Sequence, residues 1–401
     1  MPNTLLTIDM ITREALRVLH QKLNLVGNLN RQYDKSFATE GAKIGTTLRI
    51  RKPPRYTVQT GSTLTSQDAT ETYETLTVNT QNHVALTFTS NELTMSIDDF
   101  SSRFIDPAMA AMAAHIEGTV ATGLCKVAQN SVTLPTTSVD FADLQEARER
   151  LTYALAPQDN NRVAVMAPSH VSDLLNDTKG LFQESSQIAK QYREGLLGRI
   201  AGFDMYENTL VPSHTTGANF AGTILSNGTD QTGATINIDG LTSGPGATLV
   251  AGDIITFAGS YAVHPETKAT LGHLKQFVVT ALSSGVSAES MPVTLAPAVV
   301  ASGATQNVSQ AIADGSVVAL LGASGSTYQQ SLLFHKDFAC FATADLLMPQ
   351  GVDMASRQVM DGISMRIVRD YAISSDSFPC RCDVLWGYKE LYPELGCTIR
   401  F

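Results

Sequence analysis

The sequence predicts an α+β fold interrupted by an inserted β module, and three observations predict it. Two long alternating runs, at 47–58 and 74–88, describe a two-stranded arm. From Asp106 to Asp177 the text reads helix, helix, strand, helix, an order that belongs to α/β or α+β proteins. From Ala221 to Ser331 there is no arginine, few charges, and many Gly, Thr, Ser, Ala and Val residues.

The first element is a short amphipathic helix. "DMITREALRVLHQKLNL" (9–25) sets Ile11, Ala15, Leu16, Leu19 and Leu23 at helical spacing, with Asp9 as its expected cap. In "TLRIRKPPRYTV", Leu48 and Ile50 then share one face of a strand, and Arg49 and Arg51 share the other. In "ETLTVNTQNHVALTF", Leu76, Val78, Val84, Leu86 and Phe88 all take even positions. That alternation lasts about thirteen residues, over twice the usual strand length. The polar stretch "QTGSTLTSQDATETYE" between the runs predicts a flexible tip. An isolated hairpin is marginal in water, so an arm this long is expected to rest on a neighbouring subunit.

Asp106 and Pro107 open the clearest helix, predicted to run to Asn130. Met109, Met112, Ile116, Val120, Leu124 and Val127 form its apolar stripe, and small alanines permit close packing. A second amphipathic helix covers 141–155 after Asp140, a buried strand 162–169, and "SHVSDLLND" begins another helix. Within the arginine-free segment, "ATINIDG", "DIITFAG", "QFVVTAL", "MPVTLAP" and "SVVALLG" read as short strands between Gly/Ser/Pro turns. That is the pattern of a small β-barrel or sandwich, placed as an insertion in a continuing fold. Helical and mixed text is expected to resume at "SLLFHKDFACFATADLL". Two alternating strands around "SSDSFP" and a closing strand in "PELGCTIRF" end the chain.

Composition narrows the function classes. The 401 residues carry a formal charge of −10, and only 16% are charged, against roughly 25% in a typical soluble domain. A surface so poor in charge suits a protein covered by neighbours, or simply one with a Ser/Thr-rich exterior. There is no signal peptide pattern and no apolar run long enough to span a membrane. Five cysteines, an odd number set in apolar text, read as reduced thiols rather than a disulfide framework.

Catalytic constellations are not found. "GASGST" (322–327) lacks the lysine of a phosphate loop, and "HPE" at His264 has no paired cysteines. Cys380, Cys382 and Cys397 are too few for a structural zinc site, so neither a metal nor a cofactor is expected. The basic cluster Arg49, Arg51, Lys52 and Arg55, with Tyr56 beside it, stands out in an acidic chain. Nucleic-acid binding calls for a basic face on a positively charged domain. Here alternation splits the charges between two faces, which favours edge protection or ion pairing with an acidic neighbour. Pro53 and Pro54 mark an exposed bend or edge of the arm.

"TLRIRKPPRYTVQTG" followed by "LTVNTQNHVALTFTSNELTMSIDDFSSRFIDPAMAAMAAHIE" resembles the major capsid (coat) proteins of tailed bacteriophages, of the P-22 type. "LLGRIAGFDMYENTLVPSHTTG", "AGDIITFAG", "SLLFHKDFACFA" and "CRCDVLWGYKELYPELGCTIRF" continue the likeness in order along nearly the whole chain. The resemblance implies the HK-97 capsid fold. An N-terminal arm would be 1–40, an extended loop 41–92, and a peripheral domain with the spine helix 93–134. The axial domain would be 135–220 and 332–362, split by a β-barrel insertion at 221–331, with closing strands at 363–401. It also implies pentamers and hexamers in an icosahedral shell around double-stranded DNA, bound without sequence specificity. A scaffolding protein and a portal would be partners, assembly would take place in the bacterial cytoplasm, and the shell would later expand. In that setting Arg49, Arg51, Lys52, Arg55 and Tyr56 are expected to meet a neighbouring subunit. A phage tail, decoration or adhesin-like β protein is the competing structural reading, and an enzyme with an unrecognised pocket is the third.

Overall fold

The computed structural model describes residues 8–31, 47–58, 71–89, 105–133, 138–178, 198–220, 223–240, 247–281, 283–285, 290–360 and 363–401, with a few single positions between 60 and 68. Helices are α1 (Ile8–Lys22), α2 (Asp106–Cys125), α3 (Phe141–Tyr153) and α4 (Pro168–Thr178). Strands β1 (Thr47–Lys52), β2 (Thr72–Thr77) and β3 (Thr80–Thr89) precede α2. β4 (Asn130–Thr133) and β5 (Arg162–Met166) flank α3, and β6 (Arg199–Ile200), β7 (Phe203–Glu207) and β8 (Ser213–Thr215) follow α4. The middle holds β9 (Leu225–Ser226), β10 (Gly233–Asp239), β11 (Ala247–Leu249) and β12 (Ile254–Val263). It continues with β13 (Thr270–Val279), β14 (Ser283–Gly285), β15 (Met291–Val299) and β16 (Val318–Leu320). β17 (Thr327–His335), β18 (Ala339–Ala344), β19 (Met354–Met360), β20 (Ile363–Arg369), β21 (Ser377–Glu390) and β22 (Gly396–Arg400) complete the order.

The chain divides into two compact units, 1–52 with 73–120 and 339–391, and 53–72 with 121–338 and 392–401. Residues 339–360, which the resemblance puts in the second axial segment, thus belong with the first unit. The extended loop is likewise shared, its stem strands in the first unit and 53–72 in the second.

In the first unit a five-stranded sheet runs β18-β21-β20-β19, with β3 also paired to β21. α1 packs on β19 and β20, burying Ala15, Leu16 and Leu19. It starts at Ile8, so Asp9 falls in the first turn and not at the cap. β1 and β2 pair as a separate two-stranded sheet.

The second predicted arm strand is in fact two strands, because β2 ends at Thr77 and β3 begins at Thr80. β2 completes the hairpin, while β3 joins β21 over Thr80–Thr89. The break coincides with Gly387 of β21, where a Cβ would overlap the Thr77 carbonyl oxygen. Unbroken alternation records only which side is buried; it does not record a change of strand partner.

In the second unit a seven-stranded sheet runs β4-β22-β17-β5-β7-β6, with β8 paired to β17. Its centre is buried on both faces, with Leu332, Leu333 and Phe334 on β17 and Val163–Met166 on β5. This corrects the expectation of helical text from Ser331: residues 327–335 and 339–344 are strands joined by a short 3₁₀ turn. A continuous apolar run fits a strand covered on both faces as well as it fits a buried helix segment. α3 begins with a capping box in which the Asp140 and Asp143 side chains each accept from the other's backbone N–H.

α2 ends at Cys125, five residues before the predicted end. Lys126 and Val127 turn back to the carbonyls of Gly123 and Leu124. The Gln129 N–H then donates to Pro393 O, and Asn130 Nδ2 donates to Glu394 O and Gly396 O. Hydrogen bonds to the chain end replace the next helical turn.

All five predicted strands of the arginine-free segment are present, as β10, β12, β13, β15 and β16. They form an antiparallel path β16-β12-β13-β15-β10-β9 around a core that includes Phe257, Phe277, Val293 and Ile236. The ends of the path meet, with Leu225 bridging Val317, Ser226 N donating to Ser316 O, and Val318 N to Ile224 O.

Candidate assembly surfaces

The hairpin stem follows from its alternation. Ile50 is buried while Arg49 and Arg51 are exposed, and the strand stops at Lys52, immediately before Pro53 and Pro54. Proline has no N–H to give the ladder, so pairing ends there. The Arg49 guanidinium lies 5.0 Å from the centroid of Tyr73 across the hairpin, an arrangement that holds the cation outward over an aromatic face.

Two of the four basic side chains sit beside carboxylates. Lys52 Nζ is 3.0 Å from Glu74 Oε1 on β2. In the second unit, Arg55 Nη2 is 3.2 Å from Glu394 Oε1. These two have carboxylates of their own chain; Arg49 and Arg51 lie on the exposed face of β1. Tyr56 is 58% exposed, and beyond it Val58 (95%) and Leu64 (92%) are almost bare.

Of the stripe singled out from sequence, Val127 lies beyond the end of α2 and is half-buried, whereas Met109, Met112, Ile116, Val120 and Leu124 are each at most 2% exposed. They build the core along the helix. The exposed stripe is Pro107, Ala111, His115 and Thr119, spaced four residues apart.

The structure adds polar anchors that sequence reasoning missed. Buried Glu117 on α2 accepts from Leu25 N at 2.7 Å, which ties the segment after α1 to the helix. Asp383 on β21 is fully buried and accepts from Arg366 Nη2 (2.7 Å), Arg381 Nε (2.6 Å) and Gln81 Nε2 (3.0 Å). Burial alone would raise its pKa, but those three hydrogen bonds outweigh it and hold the carboxyl below its ordinary range. The spacing "RCD" did carry a signal, since Arg381 and Asp383 share one strand face.

In the second unit Asp253 is completely buried. It contacts His214 Nε2 at 2.8 Å and accepts from the N–H groups of Gly217 and Val250. Arg400 Nη2 donates to Gly252 O, and Gln276 of β13 exchanges two hydrogen bonds with the backbone of Ser131. The six-stranded module is thereby fastened at several points to the sheet beside it.

Burial pushes the thiols of Cys125, Cys340 and Cys397 up to about 12, so they stay protonated at neutral pH. Cys380 and Cys382 stand on β21 of the first unit and Cys397 on β22 of the second. No described helix is long and apolar enough to cross a membrane.

No curated protein matches the chain. Among solved structures, a Mycobacterium phage Che8 chain is similar at 13% identity and TM-score 0.48, covering 93% of this chain and 89% of its own. A capsid chain of the cyanophage P-SCSP1u is similar at 11% identity and TM-score 0.46, covering 88% of this chain and 83% of its own. A virus-like particle of Pyrococcus furiosus shows 8% identity and TM-score 0.40, with 97% of both chains covered. The family described as "P22 coat protein - gene protein 5" matches residues 58–400, far more than half of the sequence, and the chain belongs to that family.

Proposed function

We propose that this structural, non-enzymatic coat protein is the major capsid subunit of a tailed phage, assembling as pentamers and hexamers into an icosahedral head around double-stranded DNA. Family membership across residues 58–400 is the observation that carries the reading. The fold we assign is HK-97-like, with α2 as spine helix, the β1–β2 hairpin as stem of the extended loop, and 221–331 as an inserted β-barrel. The continuous antiparallel path with bridged ends supports the barrel assignment.

Assembly is the chemistry of such a protein. Many weak contacts repeated around a shell sum to a stable container, so each needs to supply little alone. Arg49 and Arg51 on the exposed hairpin face are the side chains we assign to a neighbouring subunit, with Tyr56, Val58 and Leu64 supplying apolar contact. Scaffold-assisted assembly in the bacterial cytoplasm, a portal vertex and later shell expansion belong to the same proposal.

The test is expression with and without a cognate scaffolding protein, followed by sedimentation and negative-stain microscopy. Closed shells or polyheads are expected. Arg49→Glu with Arg51→Glu should reduce their yield while the monomer keeps its circular dichroism spectrum. Monomers alone under every condition would refute the capsid reading. Normal shells that fail to retain DNA would reassign the arginines to nucleic acid.

A further inference from the structure

A cavity of about 300 Å³ opens in the second unit beside the six-stranded module. Among the described residues its wall carries three cations, Arg55, Arg150 and Lys275, against a single carboxylate, Glu394. That balance is unusual in a chain with a net charge of −10. Arg55 pairs with Glu394 at 3.2 Å, and Arg150 pairs with Glu146 of its own helix at 3.0 Å. Lys275, on β13, has no hydrogen-bond or ion-pair partner among the described residues. Lys268 adds further positive charge near Arg55, its Nζ turned onto the carbonyls of Pro265 and Ala304.

A half-buried ammonium with no partner, flanked by two guanidinium groups, is costly to desolvate. Burial accordingly pushes the Lys275 pKa down; Glu394 partly offsets this, and Arg55 and Arg150 add to the depression. His273 lines the same wall, and burial takes its pKa down to about 4, so it is a neutral hydrogen-bonding group near neutral pH. Its ring is held by Tyr153, with centroids 5.4 Å apart. Apolar Val263, Leu271 and Val300 close the rest of the cavity, which strengthens every charge interaction inside it.

We propose that this cavity is a binding site for a small oxyanion of the inorganic phosphate class, gripped by Lys275, Arg150 and Arg55. Two guanidinium forks and an ammonium are the donor set that suits such an anion. The volume lies at the lower end of roughly 300–1,000 Å³ for small-molecule sites, which suits one phosphate with its waters. Bound there, the anion joins β13, α3 and the loop after Pro54 through one charge, and so stabilises the unit that contains them.

Isothermal titration of the full-length, unassembled chain with inorganic phosphate, at constant ionic strength in a buffer without oxyanions, tests this. Saturable one-site binding and a raised melting temperature are expected. Lys275→Met should weaken binding by about tenfold, the loss of one charge-assisted hydrogen bond. Glu394→Gln should tighten it by removing the one opposing carboxylate among the described residues of the wall. Should Lys275→Met fail to fold by circular dichroism, Arg150→Gln carries the same expected weakening. Absence of saturable binding overturns the site, as do variants that move affinity in the same direction or leave it unchanged. A parallel titration with a short single-stranded oligonucleotide separates the sources of phosphate, and its binding at this site in preference to inorganic phosphate would overturn the free-anion assignment.

Discussion

Replacing Asp383 by alanine should cost the first unit about 3 kcal/mol, the lower end of the range for removing one partner of a buried ion pair. Asp383 is fully buried and holds three donors, but they are unequal. The Arg381 side chain is 46% exposed, so water compensates most of its loss. Arg366 is only 17% exposed, and its Nε is already buried without a partner among the described residues. Without the carboxylate, Arg366 keeps only the Leu347 carbonyl among the described residues. The stranded guanidinium therefore dominates the cost.

The chain has one tryptophan, and its position makes the assay local. Trp386 lies three residues along β21, buried, with its Nε1 bonded to Asn82 of β3 and its ring stacked on Phe341 at 5.7 Å. Urea unfolding followed by its fluorescence should show a midpoint lowered by about 1 M, for a slope of about 3 kcal/mol/M. The double variant with Arg366→Met should lose less than the two single variants together, because it removes the uncompensated charge. A midpoint at the wild-type value, or strict additivity in the double variant, would show that the buried charge network does not hold this sheet together.

Gly387→Ala places a methyl on the Thr77 carbonyl oxygen and 2.9 Å from Val78 Cα, so backbone must move. The same fluorescence should report a loss of about 1–3 kcal/mol; an unchanged midpoint means that the β2–β3 crossing adjusts freely. Asp143 has its pKa raised to about 6, by burial first and then by the neighbouring Asp140 and Glu146 carboxylates, against a lowering hydrogen bond from the Asp140 backbone. The folded chain thus holds a proton that the unfolded chain releases near pH 4, and stability from this group falls as pH rises between about 4 and 6. Asp143→Asn should flatten thermal stability across that window, and an unaltered slope would place the proton elsewhere.

Much of the architecture was legible because it rests on local periodicity. The alternation of Leu48, Arg49, Ile50 and Arg51 is a strand with one buried face, and the Asp140 cap starts a helix as its chemistry requires. Likewise, the arginine-free middle contains every strand read from its turns and β-branched runs. Those features depend only on neighbours in sequence. The exposed hairpin charges could also be singled out from sequence, since a basic cluster in an acidic chain is a matter of composition.

What the sequence could not decide were the choices set by distant partners. The break within 74–88 falls where Gly387, some three hundred residues away, closely approaches Thr77, and α2 stops where the carbonyls of Pro393, Glu394 and Gly396 accept from Gln129 and Asn130. Lys52 and Arg55 look like free contacts until Glu74 and Glu394 arrive beside them. The apolar run at 331–335 became strand because β22 and β5 cover its two edges, and 339–344 became strand by pairing with β21. Periodicity says which side of a segment is buried; only tertiary packing says against what, and that determines which charges remain for another molecule.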